Sequence, residues 1–177
     1  MKNDYLIVID MQNDFLTGAL GTAEGASIID AVAQKAATFD GTVYFTRDTH
    51  TADYLSTQEG KNLPVPHCRK GSEGWQLAPA LEQVRQTRQG QVFDKPAFGS
   101  PQLAETLQQA HQQTPITSIT FVGVCTDICV LSNVLLCKAF LPEVPIRVEA
   151  SLCAGVTPLR HETALSAMEA CQVEILP

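Results

Sequence analysis

No apolar run in this chain approaches the ~20 residues that a membrane-spanning helix needs. Positive charge is scarce. Twelve Lys+Arg stand against nineteen Asp+Glu, a net charge of −7, which argues against nucleic acid or an anionic membrane as the main partner. There is no internal repeat, no low-complexity tract and no compositional break, so the 177 residues read as one domain, 1–177. The N-terminal stretch has no signal-peptide core or cleavage site, and the six cysteines lack the tight spacing of a secreted disulfide framework. Both features predict reduced thiols and a cytoplasmic protein. No Gly-x-Gly-x-x-Gly follows the first strand pattern, which sets aside a dinucleotide-binding domain. An apolar content of 45% is enough for a sizeable core and excludes a disordered chain.

What is present is an alternation of two patterns. Short β-rich runs cover 5–9, 42–46, 91–93, 118–122, 146–148 and 172–176. Most are nearly continuous in apolar or β-branched residues, as strands covered on both faces tend to be. Longer stretches with helical spacing cover 26–39, 101–111, 127–140 and 158–170. The third is apolar almost all round and predicts a buried helix. The fourth opens on Thr157 as N-cap with Pro158 at the first helical position. Strand–helix alternation of this kind predicts an α/β domain with a mainly parallel sheet and helices on both faces. The long irregular piece 48–75 is rich in Gly, Pro, Thr and His, and such segments are commonly functional.

Ligands of open α/β sheets bind beyond the carboxyl ends of the strands. There the sequence places Asp10 after the first strand and Asp48-x-His50 after the second. Lys95 follows the third strand, and a turn leading to Cys129 follows the fourth. Any one of these residues has an ordinary structural explanation: a cap, a solvated charge, a core thiol. Their delivery to one sheet edge argues for chemistry. Cys129 is the candidate nucleophile, with its thiol pKa expected to be lowered by the helix start and by the Lys95 cation. Asp10 can take and return the thiol proton, and backbone N–H groups of the turn can hold an oxyanion. Cys125 and Cys137 lie in apolar runs and read as small core residues. Asp48, His50 and the distant His67, with Glu59 between them, have the donor types of a catalytic metal site with open positions. Cys68 is a weaker rival ligand, and His111 and His161 read as structural or surface residues.

These segments resemble the isochorismatase-like cysteine hydrolases, and within them the nicotinamidase branch. Asp10-Met-Gln-Asn-Asp14-Phe15 is similar to the family's opening motif, and Thr46-Arg-Asp48-Thr-His50 to its metal strand. Glu59-Gly-Lys-Asn-Leu-Pro-Val-Pro-His67 is similar to its metal loop, and Asp94-Lys95 to its lysine motif. Gly123-Val-Cys125-Thr-Asp-Ile-Cys129-Val is similar to its nucleophile motif. The resemblance implies a three-layer α/β/α fold around a six-stranded, mainly parallel sheet. It implies the triad Asp10, Lys95 and Cys129, a cis peptide before Cys125, and an oxyanion hole from the N–H groups of Cys125 and Cys129. It further implies one divalent metal, zinc ahead of manganese or iron, on Asp48, His50 and His67, with Glu59 where some relatives add a fourth ligand. The metal would take the ring nitrogen of nicotinamide.

Phe15 and Phe98 match the substrate walls of that branch, whereas Leu63 stands where its loop aromatic is expected. Thr49 replaces a large aromatic between Asp48 and His50, and Trp75 is a candidate to compensate. Cys125 stands where many relatives carry Ala. The resemblance thus implies hydrolysis of a small amide, nicotinamide first, through a thioester. The partner is a small-molecule amide, with no nucleic acid and no membrane, and self-association is common among relatives. Rival readings are another carboxamide or a carbamoyl compound, and a non-catalytic thiol-bearing ligand-binding or redox module.

Overall fold

The computed structural model describes residues 3–177. Six strands form one sheet: β1 (Asp4–Ile9), β2 (Thr42–Asp48), β3 (Val92–Lys95), β4 (Ser118–Val124), β5 (Ile146–Ala154) and β6 (Glu174–Leu176). Their order is β3-β2-β1-β4-β5-β6 and every neighbouring pair is parallel. The helices are α1 (Asn13–Leu16), α2 (Ala23–Ser27), α3 (Ile29–Thr38), α4 (Gln58–Asn62), α5 (Pro79–Arg88), α6 (Pro101–Gln113), α7 (Leu131–Phe140) and α8 (Pro158–Ala170). A 3-10 turn covers Tyr54–Ser56 and a π turn covers Thr126–Val130. No helix among the described residues is long and apolar enough to cross a membrane.

The three layers follow from the side-chain alternation of β1. Tyr5, Ile7 and Ile9 enter one core with Leu107 of α6, Val134 of α7 and Met168 of α8. Leu6 and Val8 enter the other with Val32 of α3 and Leu81 of α5. Burial on both faces explains why the β1 sequence is a continuous apolar run rather than an alternating one. Each fully buried Leu or Ile contributes about 1.5–3 kcal/mol of transfer free energy. At Gly123, φ is +115°, and a Cβ there would strike the Ile9 carbonyl oxygen. Glycine is therefore required where β4 presses against β1, directly beneath the strand ends that carry Asp10 and Cys129.

The predicted strands all form, with shifted ends. β5 runs six residues past its apolar stretch, to Ala154, because the pairing register slips between Phe121 and Gly123 and admits extra residues. The helix expected over 26–39 breaks at Ile28 into α2 and α3. α5 carries no clear apolar pattern in sequence, since only Leu81 of its ten residues is fully buried. The apolar helix expected over 127–140 begins as the π turn. Its continuation α7 is not buried all round: only Asn133, Val134 and Cys137 are buried and its leucines are half-covered. α8 starts as predicted, with the Thr157 side chain accepting from Arg160 N.

Candidate active site

β1 and β4 are neighbours, but the strands that follow each of them lie on opposite sides of the pair. This is the switch point at which parallel sheets open a crevice. Asp10 leaves β1 there with φ +46°, a left-handed conformation uncommon for a residue with a side chain. Its Oδ1 accepts from Thr46 Oγ1 at 2.6 Å, and its backbone N–H donates to the same hydroxyl at 3.2 Å. Lys95, at the end of β3, sends Nζ to 2.7 Å from Asp10 Oδ2 and 3.5 Å from Cys129 Sγ. Nζ also lies 3.5 Å from Asp48 Oδ1 and donates to the Ala97 carbonyl at 3.2 Å. All three predicted triad residues are buried and meet at the lysine ammonium.

Burial disfavours the charged lysine, but Asp10, Cys129 and Asp48 outweigh it, so Lys95 holds its proton more tightly than in water. Burial also raises the proton affinity of Asp10; Lys95 opposes this and Asp48 adds to it, with a net upward shift. The Cys129 thiol is pushed well above its ordinary value by burial and by the charge of Asp10, with Lys95 opposing only in part. This reverses the lowered thiol pKa expected from sequence. The reason is that Asp10 and Asp48 already supply negative charge beside one cation, and a resting thiolate would add more at a buried position. Cys129 therefore rests as a neutral thiol, with the Asp10 carboxyl group beside it.

Asp48, His50, Glu59 and His67 form a second cluster, with one donor atom from each lying within 4.8 Å of all the others. His50 Nε2 comes to 2.8 Å from Asp48 Oδ2 and 3.5 Å from Glu59 Oε1. His67 Nε2 lies 3.5 and 3.7 Å from the same two oxygens. His67 Nδ1 bonds the Val65 carbonyl at 2.8 Å, which turns Nε2 toward the cluster. His50 Nε2 and Asp48 Oδ1 are buried without a hydrogen-bond partner. Burial works against a charged His50, yet Asp48 and Glu59 raise it to about 9. Two imidazoles and two carboxylates facing one point, with orphaned donor atoms and a field that favours positive charge, fit a divalent cation. Cys68 is not part of the cluster: it is buried at φ +44° and its N–H donates to Asp14 Oδ2 at 2.7 Å.

Both clusters open onto one cavity of about 760 Å³, whose lining includes Phe15, Leu63, Phe98, Cys125 and Cys129 as well as the four metal-type residues. Phe15 packs on the His67 ring, centroids 5.5 Å apart. Cys125 is half-buried in this wall rather than a core filler, and the Val124–Cys125 peptide is cis. Trp75 does not line the cavity. Its Nε1 donates to Thr49 Oγ1 at 2.8 Å, and the Arg47 guanidinium lies 3.6 Å over its ring. His111 is structural, accepting from Ile116 N at 3.0 Å. His161 lies 2.8 Å from Thr126 Oγ1, next to the nucleophile turn.

Four supporting residues were not singled out from sequence. Thr46 orients Asp10, as described above. Tyr54, the lone aromatic between His50 and Glu59, packs 4.5 Å from the His50 ring and 5.0 Å from His67. Gln12, fully buried, donates to the carbonyls of Asp48 and Trp75 and accepts from Asp48 N. Asn133 accepts from Ser100 N and donates to the carbonyls of Phe98 and Cys129. A buried amide in an otherwise apolar helix, and an amide inside the Asp10–Phe15 motif, were the available signals.

An isochorismatase domain model matches residues 4–177. The chain belongs to the isochorismatase family. A nicotinamidase/pyrazinamidase of Mycobacterium tuberculosis is 28% identical over 97% of both chains. The structure of nicotinamidase/pyrazinamidase from Bacillus subtilis superposes with a TM-score of 0.84 at 27% identity, covering all of both chains. A pyrazinamidase from Pyrococcus horikoshii, solved in complex with zinc, has a TM-score of 0.79 at 25% identity over 98% of both chains. The six-stranded α/β/α architecture of this isochorismatase-family protein is the one those relatives share.

Proposed function

We propose that this protein is a cytoplasmic cysteine amidohydrolase that converts nicotinamide to nicotinate and ammonia, acting as a single hydrolase domain. The observation that carries the reading is the meeting of Asp10 and Cys129 at Lys95 Nζ, at 2.7 and 3.5 Å, directly behind a Cys129 sulfur that lines the same cavity as the four metal-type residues. Similarity to nicotinamidases over the full chain supports the substrate. Six unpaired thiols accord with a reducing compartment.

Asp10 takes the Cys129 proton as sulfur attacks the carboxamide carbon, and backbone N–H groups of Cys125 and Cys129 hold the oxyanion. Asp10 then delivers that proton to the departing ammonia, leaving a thioester. In the second half Asp10 accepts a proton from water as it attacks the thioester, and the proton returns to Cys129 as nicotinate leaves. Lys95 stays cationic throughout and balances the charge that moves between sulfur and carboxylate. Asp48, His50, His67 and Glu59 would hold a divalent ion, zinc first, which supplies a Lewis-acid point for the pyridine nitrogen. Phe15, Leu63 and Phe98 flank the ring.

The test is ammonia release from nicotinamide by zinc-supplemented protein, with Cys129→Ala as control. Steady release that the substitution abolishes is expected. Equal release by both proteins overturns the thioester route, and no release by either overturns the amidase reading.

A further inference from the structure

The cavity is larger than the proposed reaction needs. About 760 Å³ lies in the upper part of the range of sites that bury drug-sized ligands, roughly 300–1,000 Å³. A single aromatic ring with a carboxamide fills only a fraction of it. The remaining space has a direction. The acidic lining residues, Asp48 and Glu59, sit at the metal end. On the Cys129 side the lining includes Ile128, its neighbour in the chain, and Val156 and Arg160, both held by Asp127 of the same turn; Arg160 is the one lysine or arginine of the lining, and Lys95 lies behind the sulfur and faces Asp10. The mouth is apolar: Leu63, Phe98 and Val156 line it and are each more than a third exposed.

Arg160 is lightly committed. Its ion-pair partner among the described residues is Asp127, with Nη1 3.9 Å from Oδ2, beyond hydrogen-bond reach. Asp127 is engaged elsewhere, its Oδ1 accepting from Val156 N at 3.0 Å. The contact holds the guanidinium loosely beside the turn and leaves the side chain about two-thirds exposed (65%) at the edge of the cavity it lines. A guanidinium takes a carboxylate through two parallel N–H donors, a geometry that a lysine does not offer.

Resting on the amidase reading, we infer that the site is built for a longer substrate: a primary carboxamide whose apolar spacer lies on Ile128 and Val156 and whose distal carboxylate is bound by Arg160. Nicotinamide then occupies only the inner part of the site.

The experiment compares 5-phenylnicotinamide with its carboxyphenyl analogue, alongside nicotinamide. The charged amide is expected to have a kcat/KM about tenfold or more above its neutral partner, mainly through KM, the scale of one charge-assisted hydrogen bond. Added salt erodes that preference. Arg160→Gln brings the ratio close to one, and Arg160→Lys restores part of it. Equal kcat/KM for the pair in the unaltered protein, or a preference that survives in Arg160→Gln, overturns the inference. Turnover of the pair without turnover of nicotinamide overturns nicotinamide as substrate and leaves the inference standing. If no amide is hydrolysed the amidase reading falls, and calorimetric binding of the same pair still decides for or against Arg160.

Discussion

Lys95 Nζ lies 2.7 Å from Asp10 Oδ2, with both side chains withdrawn from solvent. Breaking such a pair from one side leaves a buried charge, which costs about 3–5 kcal/mol. Asp10→Asn is the milder cut, because Asp48 Oδ1 at 3.5 Å still faces the ammonium. The variant is expected to fold, to lose up to about 3 kcal/mol in a urea titration, and to lose on the order of 10²-fold or more in kcat. A variant with full stability and full activity would remove Asp10 from the chemistry.

Metal removal should separate activity from folding. The sheet and its two cores do not depend on the loop donors, so chelation is expected to cut turnover at least about tenfold with little change in the urea midpoint. Added zinc should restore turnover. Elemental analysis of protein purified without chelator checks the ion directly, and full activity in metal-free protein would exclude a catalytic role for it.

Asn133 ties three backbone groups together, and Asn133→Ala leaves the carbonyls of Phe98 and Cys129 and the N–H of Ser100 without their partner. A loss of about 1–3 kcal/mol is expected. The KM for an aromatic amide should rise as well, because Phe98 is cavity wall. Asn133→Asp keeps the acceptor for Ser100 but turns a buried carboxylate oxygen toward two carbonyl oxygens, so it should be at least as destabilising as Asn133→Ala. Chemical denaturation and steady-state kinetics on the same preparations measure both effects.

The alkaline limb of stability should be steep. Burial pushes Cys137 and Cys153 from 9.0 to about 12. In the unfolded chain both thiols ionise near their ordinary value. Their contribution is therefore whole below about pH 9 and is lost as pH rises toward about 12. Each should account for a loss of about 1 kcal/mol by about pH 10. Urea midpoints at about pH 8.5 and about pH 10 should differ less in Cys153→Ala than in the unaltered protein.

The strand-end residues were legible because a parallel sheet brings its carboxyl ends together, so Asp10, Asp48, Lys95 and Cys129 could be placed on one edge from local patterns alone. Glu59 and His67 were legible through their motif, since the loop that carries them has no periodicity. The charge state of Cys129 was not legible. It depends on how many carboxylates reach the same buried volume, and Asp48 contributes to that from a different strand. Gln12 and Asn133 were hidden for a similar reason: their amides act on backbone groups far along the chain. α5 escaped because a helix that covers a sheet mainly through Leu81 leaves almost no periodic trace.

The strand order also divides the labour of the site. β1, β2 and β3 pair in sequence and, with the loops that follow them, carry Asp10, Lys95 and every metal-type residue, whereas Cys129 arrives with β4. The half-sheets join along one line, from Asp4↔Ser118 to Ile9↔Gly123. Neither half alone brings Cys129 to Asp10 and Lys95, so the proposed site is not assembled until that line closes. Competence is in this sense a property of the join, and hydrogen exchange at Leu6–Ile9 followed alongside turnover in mild denaturant should show the two lost together.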